Sequence, residues 1–171
     1  MLVTQRLHIV PLAHNQLLLY KSDPKALAEN LNIDYLERQS DPATAKDVEE
    51  AIEFWINNTA AYPNQFEWFT NWEIILAREN VAIGGIGFAG LPDEEGKTMV
   101  GYGLDVRFHG QGIATEALGA LIEWGFYNPN LNRIIADTPV KHIASQKVLQ
   151  KNNFVETHRD IDLIHWSLVR S

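Results

Sequence analysis

Apolar and polar positions alternate loosely from Leu2 to Val10, and the alternation stops at Pro11. This predicts a first strand ended by a residue that cannot continue a ladder. Two short helices are expected next, over Leu12 to Ser22 and Pro24 to Leu31. Asp23 is placed to cap the second, and Pro24 suits its first helical position. A third helix is expected to start around Ser40-Asp41-Pro42. Within it Val48, Ile52, Trp55 and Ile56 recur at steps of four, three and one, so a single apolar stripe lies opposite Lys46, Glu49, Glu50 and Glu53. Tyr62-Pro63-Asn64 breaks it.

From Glu67 onward the period changes to two. Trp68 to Ala77, Val81 to Ala89 and Thr98 to Val106 read as three consecutive antiparallel strands, with turns at Arg78-Glu79-Asn80 and across Gly90 to Lys97. A helix from Gly110 to Phe126, a short buried strand from Arg133 to Asp137, a helix from His142 to Lys151 and two closing strands within Phe154 to Val169 follow. No linker, repeat or low-complexity segment interrupts residues 1–171, so a single domain is expected. The element order predicts an α+β fold with helices on both faces of the sheet.

Composition narrows the chemistry. Of 171 residues, 46% are hydrophobic, enough for a full core. A net charge of -8 speaks against a sequence-independent grip on nucleic acid, which needs clustered Lys and Arg. It would instead draw cationic partners mildly over a broad surface. The chain has no cysteine, which excludes disulfides, thiolate metal sites and a cysteine nucleophile. Met1 to Leu7 lacks the apolar core of a signal peptide, and no run approaches the roughly 20 apolar residues of a membrane span. A cytoplasmic protein with no membrane partner is expected. His8, His14, His158 and His165 are too scattered in sequence to argue for a metal.

Gly110 and Gly112 flank Gln111 between a β-rich run and a helix start. The first turn of that helix presents backbone N–H groups at the positive end of its dipole. Glycines allow close approach of an anion, and Ala114 keeps the approach open. A phosphate-bearing ligand is expected. Two alternatives remain at this point, a helix that merely begins with a flexible turn and a dinucleotide-binding strand-helix-strand unit. The latter wants Gly or Ala where Thr115 stands, although Asp137 lies where a ribose-binding acid would sit.

Two motifs and the opening Thr4-Gln5-Arg6-Leu7 together carry a resemblance over nearly the whole chain. The first motif is His109-Gly110-Gln111-Gly112-Ile113-Ala114, continued by Thr115-Glu116-Ala117-Leu118. The second is His142-Ile143-Ala144-Ser145 followed by Leu149-Gln150-Lys151-Asn152-Asn153-Phe154. In order and spacing they resemble the GNAT-type N-acetyltransferase superfamily, in particular the branch of ribosomal-protein N-terminal (alanine/serine) acetyltransferases. The resemblance implies a mixed, mostly antiparallel twisted sheet of about seven strands with helices on both faces. It implies acetyl-CoA as co-substrate, with its pyrophosphate on His109 to Thr115 and its pantetheine arm along the backbone of Leu104, Asp105 and Val106. His142 and Ser145 would face that arm, and the Ser145 hydroxyl would hydrogen-bond the CoA sulfur, or simply cap its helix. His109 replaces the family's Arg or Gln, His142 its Asn, and Asn153 its Gly. Met99 stands where many relatives carry a glutamate assigned as base.

Acetyl transfer needs a positioned acetyl group, a neutral amine, a donor for the oxyanion and a proton for the leaving thiolate. Without cysteine, direct attack of a primary amine is expected. An α-amine, with a pKa of about 8 against about 10.4 for lysine, needs less help from a base. The acceptor is therefore expected to be a protein N-terminus or a small-molecule amine, and the protein a monomer or dimer. Candidate bases are Asp105, His109, Glu67 and Glu73, with Asp105 placed on the strand nearest the reaction. Trp68 and Trp72 beside Phe69 are candidates for an acceptor cleft, with core packing as the alternative. Loss of the glutamate also leaves open an acyl-CoA-binding sensor that keeps the loop without catalysis.

Overall fold

A computed structural model of the chain describes residues 1–40 and 42–171. The expected first strand is two, β1 (Leu2–Val3) and β2 (Leu7–Pro11), paired antiparallel. Thr4 makes the turn between them. Its amide donates to Leu7 O at 3.0 Å and its hydroxyl accepts from Leu7 N at 3.1 Å. A side chain competing for the backbone in this way is invisible to an alternation of apolar positions.

Helices α1 (His14–Ser22) and α2 (Pro24–Leu31) are separated by Asp23, whose carboxylate accepts from the amides of Lys25 and Ala26, both at 3.1 Å. Helix α3 (Pro42–Ala61) begins within the expected start; Asp41 lies outside the described residues. Its Trp55 and Ile56 pack on Leu12, Leu17 and Leu27, a small core shared with α1 and α2. Strands β3 (Trp72–Leu76), β4 (Val81–Phe88) and β5 (Lys97–Leu104) form the meander. β3 starts later than expected because Phe66–Trp68 forms a 3₁₀ turn, and β5 ends earlier because Val106–Phe108 forms another. Then come α4 (Ile113–Phe126), β6 (Arg133–Pro139), α5 (Ile143–Lys151), β7 (Val155–Arg159) and β8 (Leu163–Val169). No described helix is long and apolar enough to cross a membrane.

The strands join in one eight-stranded sheet in the order β1-β2-β3-β4-β5-β6-β8-β7, one more strand than expected because of the split at Thr4. Every neighbouring pair is antiparallel except β5 and β6, which run parallel over only Lys97↔Arg133, Thr98↔Ile134 and Met99↔Ile135. Beyond that point β5 stays with β4 and β6 stays with β8, so a wedge opens in the middle of the sheet.

Alternation gives each face its character. One face carries Ile74, Ile86, Val100, Ile134 and Trp166, buried with Ala117, Leu118 and Leu121 of α4 and Leu149 of α5. The other carries Glu73, Gly85, Met99, Gly101 and Asp137. On the first face Trp124 of α4 meets Trp68 and Trp72 at centroid distances of 4.8 Å each. Trp72 is 1% exposed and its indole N–H donates to Glu67 O at 2.8 Å. Trp72→Ala is expected to destabilise the fold by about 3–5 kcal/mol in urea unfolding, the usual loss for a buried large aromatic. Trp72→Phe, which keeps an aromatic ring, should lower the midpoint less than Trp72→Ala does.

Candidate active site

On the α4 and α5 side of the wedge lies a cleft of about 430 Å³. Of the residues singled out in the sequence, Leu104, His109, Gly110, Gly112 and Ile113 line it, as do Ala114, Thr115, His142 and Ser145. β5 forms its floor. The amide of Asp105 donates to Ile83 O and Met99 O accepts from Ala89 N, so the backbone groups of odd-numbered β5 residues point at β4. Those of Tyr102 and Leu104 therefore point into the wedge. Leu104 O is engaged by His109 Nε2 at 3.0 Å. The N–H and C=O of Tyr102 and the N–H of Leu104 remain for an extended ligand carrying amides, which can pair as an added strand.

At the mouth, Gly110 and Gly112 take left-handed φ values of +74° and +75°. Gly112 is the N-cap of α4 and brings no side chain to the cap, so the first-turn amides stay open toward the cleft. The loop is fixed from behind by the turn between β1 and β2. Thr4 Oγ1 donates to Glu116 Oε1 at 2.6 Å, Arg6 Nε to Glu116 Oε2 at 2.7 Å, and Arg6 Nη1 to Gln111 O at 2.9 Å. The Thr4-Gln5-Arg6-Leu7 opening and Glu116 thus form one clamp. Burial alone would raise the Glu116 pKa, but the bonds from Thr4 and Arg6 outweigh it and hold it low. A depressed carboxylate stabilises the fold fully above its ordinary range near pH 4.3 and loses that contribution as pH falls through its folded value. Glu116→Ala is expected to lose about 2 kcal/mol at pH 7. The gap to the parent should close as the pH of the unfolding series falls below about 4.

Three polar residues of the cleft, Tyr102, Lys147 and Lys151, had no role assigned from the sequence. Tyr102 Oη lies 2.9 Å from Ser145 Oγ and donates to Ser145 O at 3.1 Å, bridging β5 and α5. Burial pushes the Tyr102 phenol up to about 12 against a smaller opposing effect of Ser145, so it keeps its proton at neutral pH. Strand alternation with Val100 and Leu104 is the signal that places Tyr102 on the cleft side. Lys147 and Lys151, four apart on α5, also line the cleft and add two positive charges to its wall. Ser145 does not cap its helix; His142 is the N-cap, and it makes no side-chain cap bond.

Other sequence candidates are placed elsewhere. Asp105 is 2% exposed, and its carboxylate accepts from Gln39 N at 2.8 Å and from Arg107 N and Nε at 2.9 Å. Bonding to Arg107 holds its pKa well below the usual carboxylate range, which leaves a poor base with its lone pairs occupied. Val106 sits in the 3₁₀ turn outside the cleft, its amide donating to Gln39 O at 3.0 Å. Gln111 turns away, its side chain donating to Arg107 O at 3.3 Å. Trp68 and Trp72 are in the core described above, not in a cleft. Glu73 is 1% exposed, paired with Arg38 and bonded by Asn71 Nδ2 at 2.6 Å, and burial pushes its pKa up while Arg38 pulls it down. Glu67 lies in the 3₁₀ turn before β3, its carbonyl taken by Trp72. A dinucleotide unit does not fit a sheet with one parallel pair.

A mostly antiparallel sheet split around one short parallel pair, with a helix starting at glycines beside the opening, is the architecture of an N-acetyltransferase. The chain belongs to the acetyltransferase (GNAT) family, whose domain profile matches residues 6–155. It is 31% identical over 106 residues to the uncharacterized N-acetyltransferase YjdG of Bacillus subtilis, a match spanning 62% of this chain and 63% of that protein, a little under two thirds of its length. It is 32% identical over 135 residues to the uncharacterized N-acetyltransferase p20 of Bacillus licheniformis, covering 79% of this chain and 69% of that one. Among solved structures, RimL, a ribosomal L7/L12 alpha-N-protein acetyltransferase in complex with coenzyme A, superposes with a TM-score of 0.68 at 17% identity, over 98% of this chain and 96% of that one. That similarity establishes the shared fold.

Proposed function

We propose that this protein transfers the acetyl group of acetyl-CoA to a primary amine, a protein N-terminus or a small-molecule amine, by direct attack on the thioester. The observation that carries the reading is the cleft itself. Three backbone groups of Tyr102 and Leu104 left beyond the end of the β5–β6 pairing among the described residues, the uncapped start of α4 and the two lysines of α5 match the amides and phosphates of a pantetheine nucleotide in kind. Acetyl-CoA supplies an activated acyl group as its thioester. Leu104 and Tyr102 orient the pantetheine arm, Gly110 to Thr115 hold the pyrophosphate, and the Tyr102 and Ser145 hydroxyls stand where a departing thiolate needs a proton.

Titration with acetyl-CoA should raise the melting temperature, with a linkage of about 2.7 kcal/mol at 100 times Kd. Free CoA should then appear only when an amine is added, read with a thiol reagent over Ala- and Ser-initiated peptides and polyamines. No thermal stabilisation by acetyl-CoA would overturn the cofactor assignment. Met99 at the family's glutamate position favours a second reading, an acyl-CoA-binding sensor. That protein would show the thermal shift with no amine-dependent release.

A further inference from the structure

A chain of polar groups lies on the face of the wedge turned away from α4 and α5, and none of the chemistry above uses it. Register puts it there. Met99 pairs with Ile135 at the vertex, so Gly101 on β5 and Asp137 on β6, each two residues further along, share the opposite face of the opening. Asp137 is paired across the ladder with His165 of β8. The carboxylate of Asp137 lies 2.7 Å from His165 Nδ1, and His165 Nε2 lies 3.2 Å from Asp160 Oδ2. Asp160 is itself held in the turn before β8, accepting from the amides of Asp162 at 2.9 Å and Leu163 at 2.8 Å. From β7 the ring of His158 stacks on His165 at a centroid distance of 5.6 Å.

This array is open. The side chains of Asp137 and His165 are 32% and 31% exposed. Gly101 is exposed, and a Cβ built on it would meet nothing within 4 Å. One row nearer the vertex, on the same face, the Ser167 hydroxyl is buried without a hydrogen-bond partner among the described residues. With the α4 and α5 side of the wedge taken by the pantetheine arm, an amine must reach the thioester carbon from this side. It passes between Gly101, which offers no side chain, and the Asp137 carboxylate.

We propose that Asp137, positioned by His165 and Asp160, seats the acceptor amine and takes its proton, in place of the glutamate that Met99 replaces. The inference rests on the N-acetyltransferase reading. The acceptor it fits is a primary amine that arrives as an ammonium ion, matched by a carboxylate at the mouth. A first proton leaves to solvent as the ammonium becomes amine. The nitrogen lone pair forms the C–N bond at the thioester carbon, a second nitrogen proton passes to Asp137, and the C–S bond breaks. The thiolate takes its proton through the hydroxyls of Ser145 and Tyr102. Asp137 returns its proton to solvent and the hydroxyls regain theirs, so the products are the amide and free CoA. The contacts to Asp160 and Asp137 raise the pKa of His165. Its charge therefore persists to higher pH than in a free histidine, and its loss shapes the pH profile.

The test uses the full-length protein and the amine it turns over fastest among Ala- and Ser-initiated hexapeptides and spermidine. Asp137→Asn should lower kcat about tenfold or more, with acetyl-CoA affinity and melting temperature held near the parent's. Asp137→Glu should recover part of the rate. His165→Gln, which keeps a polar side chain but cannot titrate, should remove one ionisation from the pH profile of kcat/KM. Asp137→Asn with the parent's kcat and pH profile overturns this proposal and leaves the acetyltransferase reading intact. A purely structural role would show as a lower melting temperature with unchanged profiles, which also overturns it. A parent protein that releases no CoA with any amine overturns both.

Discussion

Gly112→Glu is expected to abolish acetyl-CoA binding, raising Kd by roughly two orders of magnitude in calorimetric titration while the protein stays folded. Gly112 holds φ at +75°, a conformation that strains any residue with a Cβ by about 1–2 kcal/mol. Space is not the obstacle, since the nearest atom to a new Cβ is Arg6 Nη2 at 3.7 Å. The stability loss is thus limited to the backbone term, a few degrees in melting temperature. Binding suffers far more, because the new carboxylate adds a negative charge within a side-chain length of the helix start proposed to hold the pyrophosphate. Two like charges about 5 Å apart at an effective dielectric near 20 repel by about 3 kcal/mol, which is roughly a hundredfold in Kd. Gly112→Ala separates the two effects. It carries the same backbone strain without the charge, so its melting temperature should match that of the glutamate variant and its Kd should stay much closer to the parent's. A glutamate variant that binds CoA as tightly as the parent would remove the pyrophosphate from this loop.

How much of this was legible in the sequence follows from the range of the interactions involved. Asp23 and Pro24 announce α2 because a cap and its helix are adjacent in the chain. The glycines announce the start of α4 for the same reason, and the apolar stripe of Trp55 and Ile56 finds its core because a helical period is local. The split at Thr4 was not legible, since the turn is fixed partly by Glu116, 112 residues away. Asp105 looked like a base on a strand facing the reaction. Its real partners, Gln39 and Arg107, depend on where the strand ends and on a segment 66 residues earlier. Trp68 and Trp72 were candidates for an acceptor cleft or for the core, and the sequence left both open because it does not show that the two rings meet Trp124 of α4. Tyr102 with Ser145, 43 residues apart, and Asp137 with His165, 28 apart, meet only through the split sheet. The family motifs located Ser145 and the loop, but a motif names one partner of a pair and leaves the other to the fold.

Removing both hydroxyls of the Tyr102–Ser145 pair tests whether they act as one proton path. Tyr102→Phe keeps the ring that lines the cleft and deletes only the oxygen 2.9 Å from Ser145 Oγ, so CoA affinity should hold within about twofold. Its kcat should fall about 10²-fold, the lower range for a lost general acid. Ser145→Ala should fall less, about tenfold, because the phenol remains in the cleft as the second proposed donor and a water can fill the space of one hydroxyl. If thiolate, serine and tyrosine form a single relay, the double variant should be no slower than Tyr102→Phe alone, a coupling that a double-mutant cycle reads directly. Multiplied effects would mean two independent contacts, and an unchanged kcat in Tyr102→Phe would leave the tyrosine as cleft wall only. The pH profile offers a separate check. With burial pushing the phenol up to about 12, the parent should show no alkaline loss of kcat from this group below roughly pH 10. On the proposed mechanism the acid-side ionisations of the profile belong to the opposite face of the wedge and to the amine itself. The proposed proton donor and proton acceptor can thus be varied one at a time, because the split sheet holds Tyr102 and Asp137 on separate faces and separate strands.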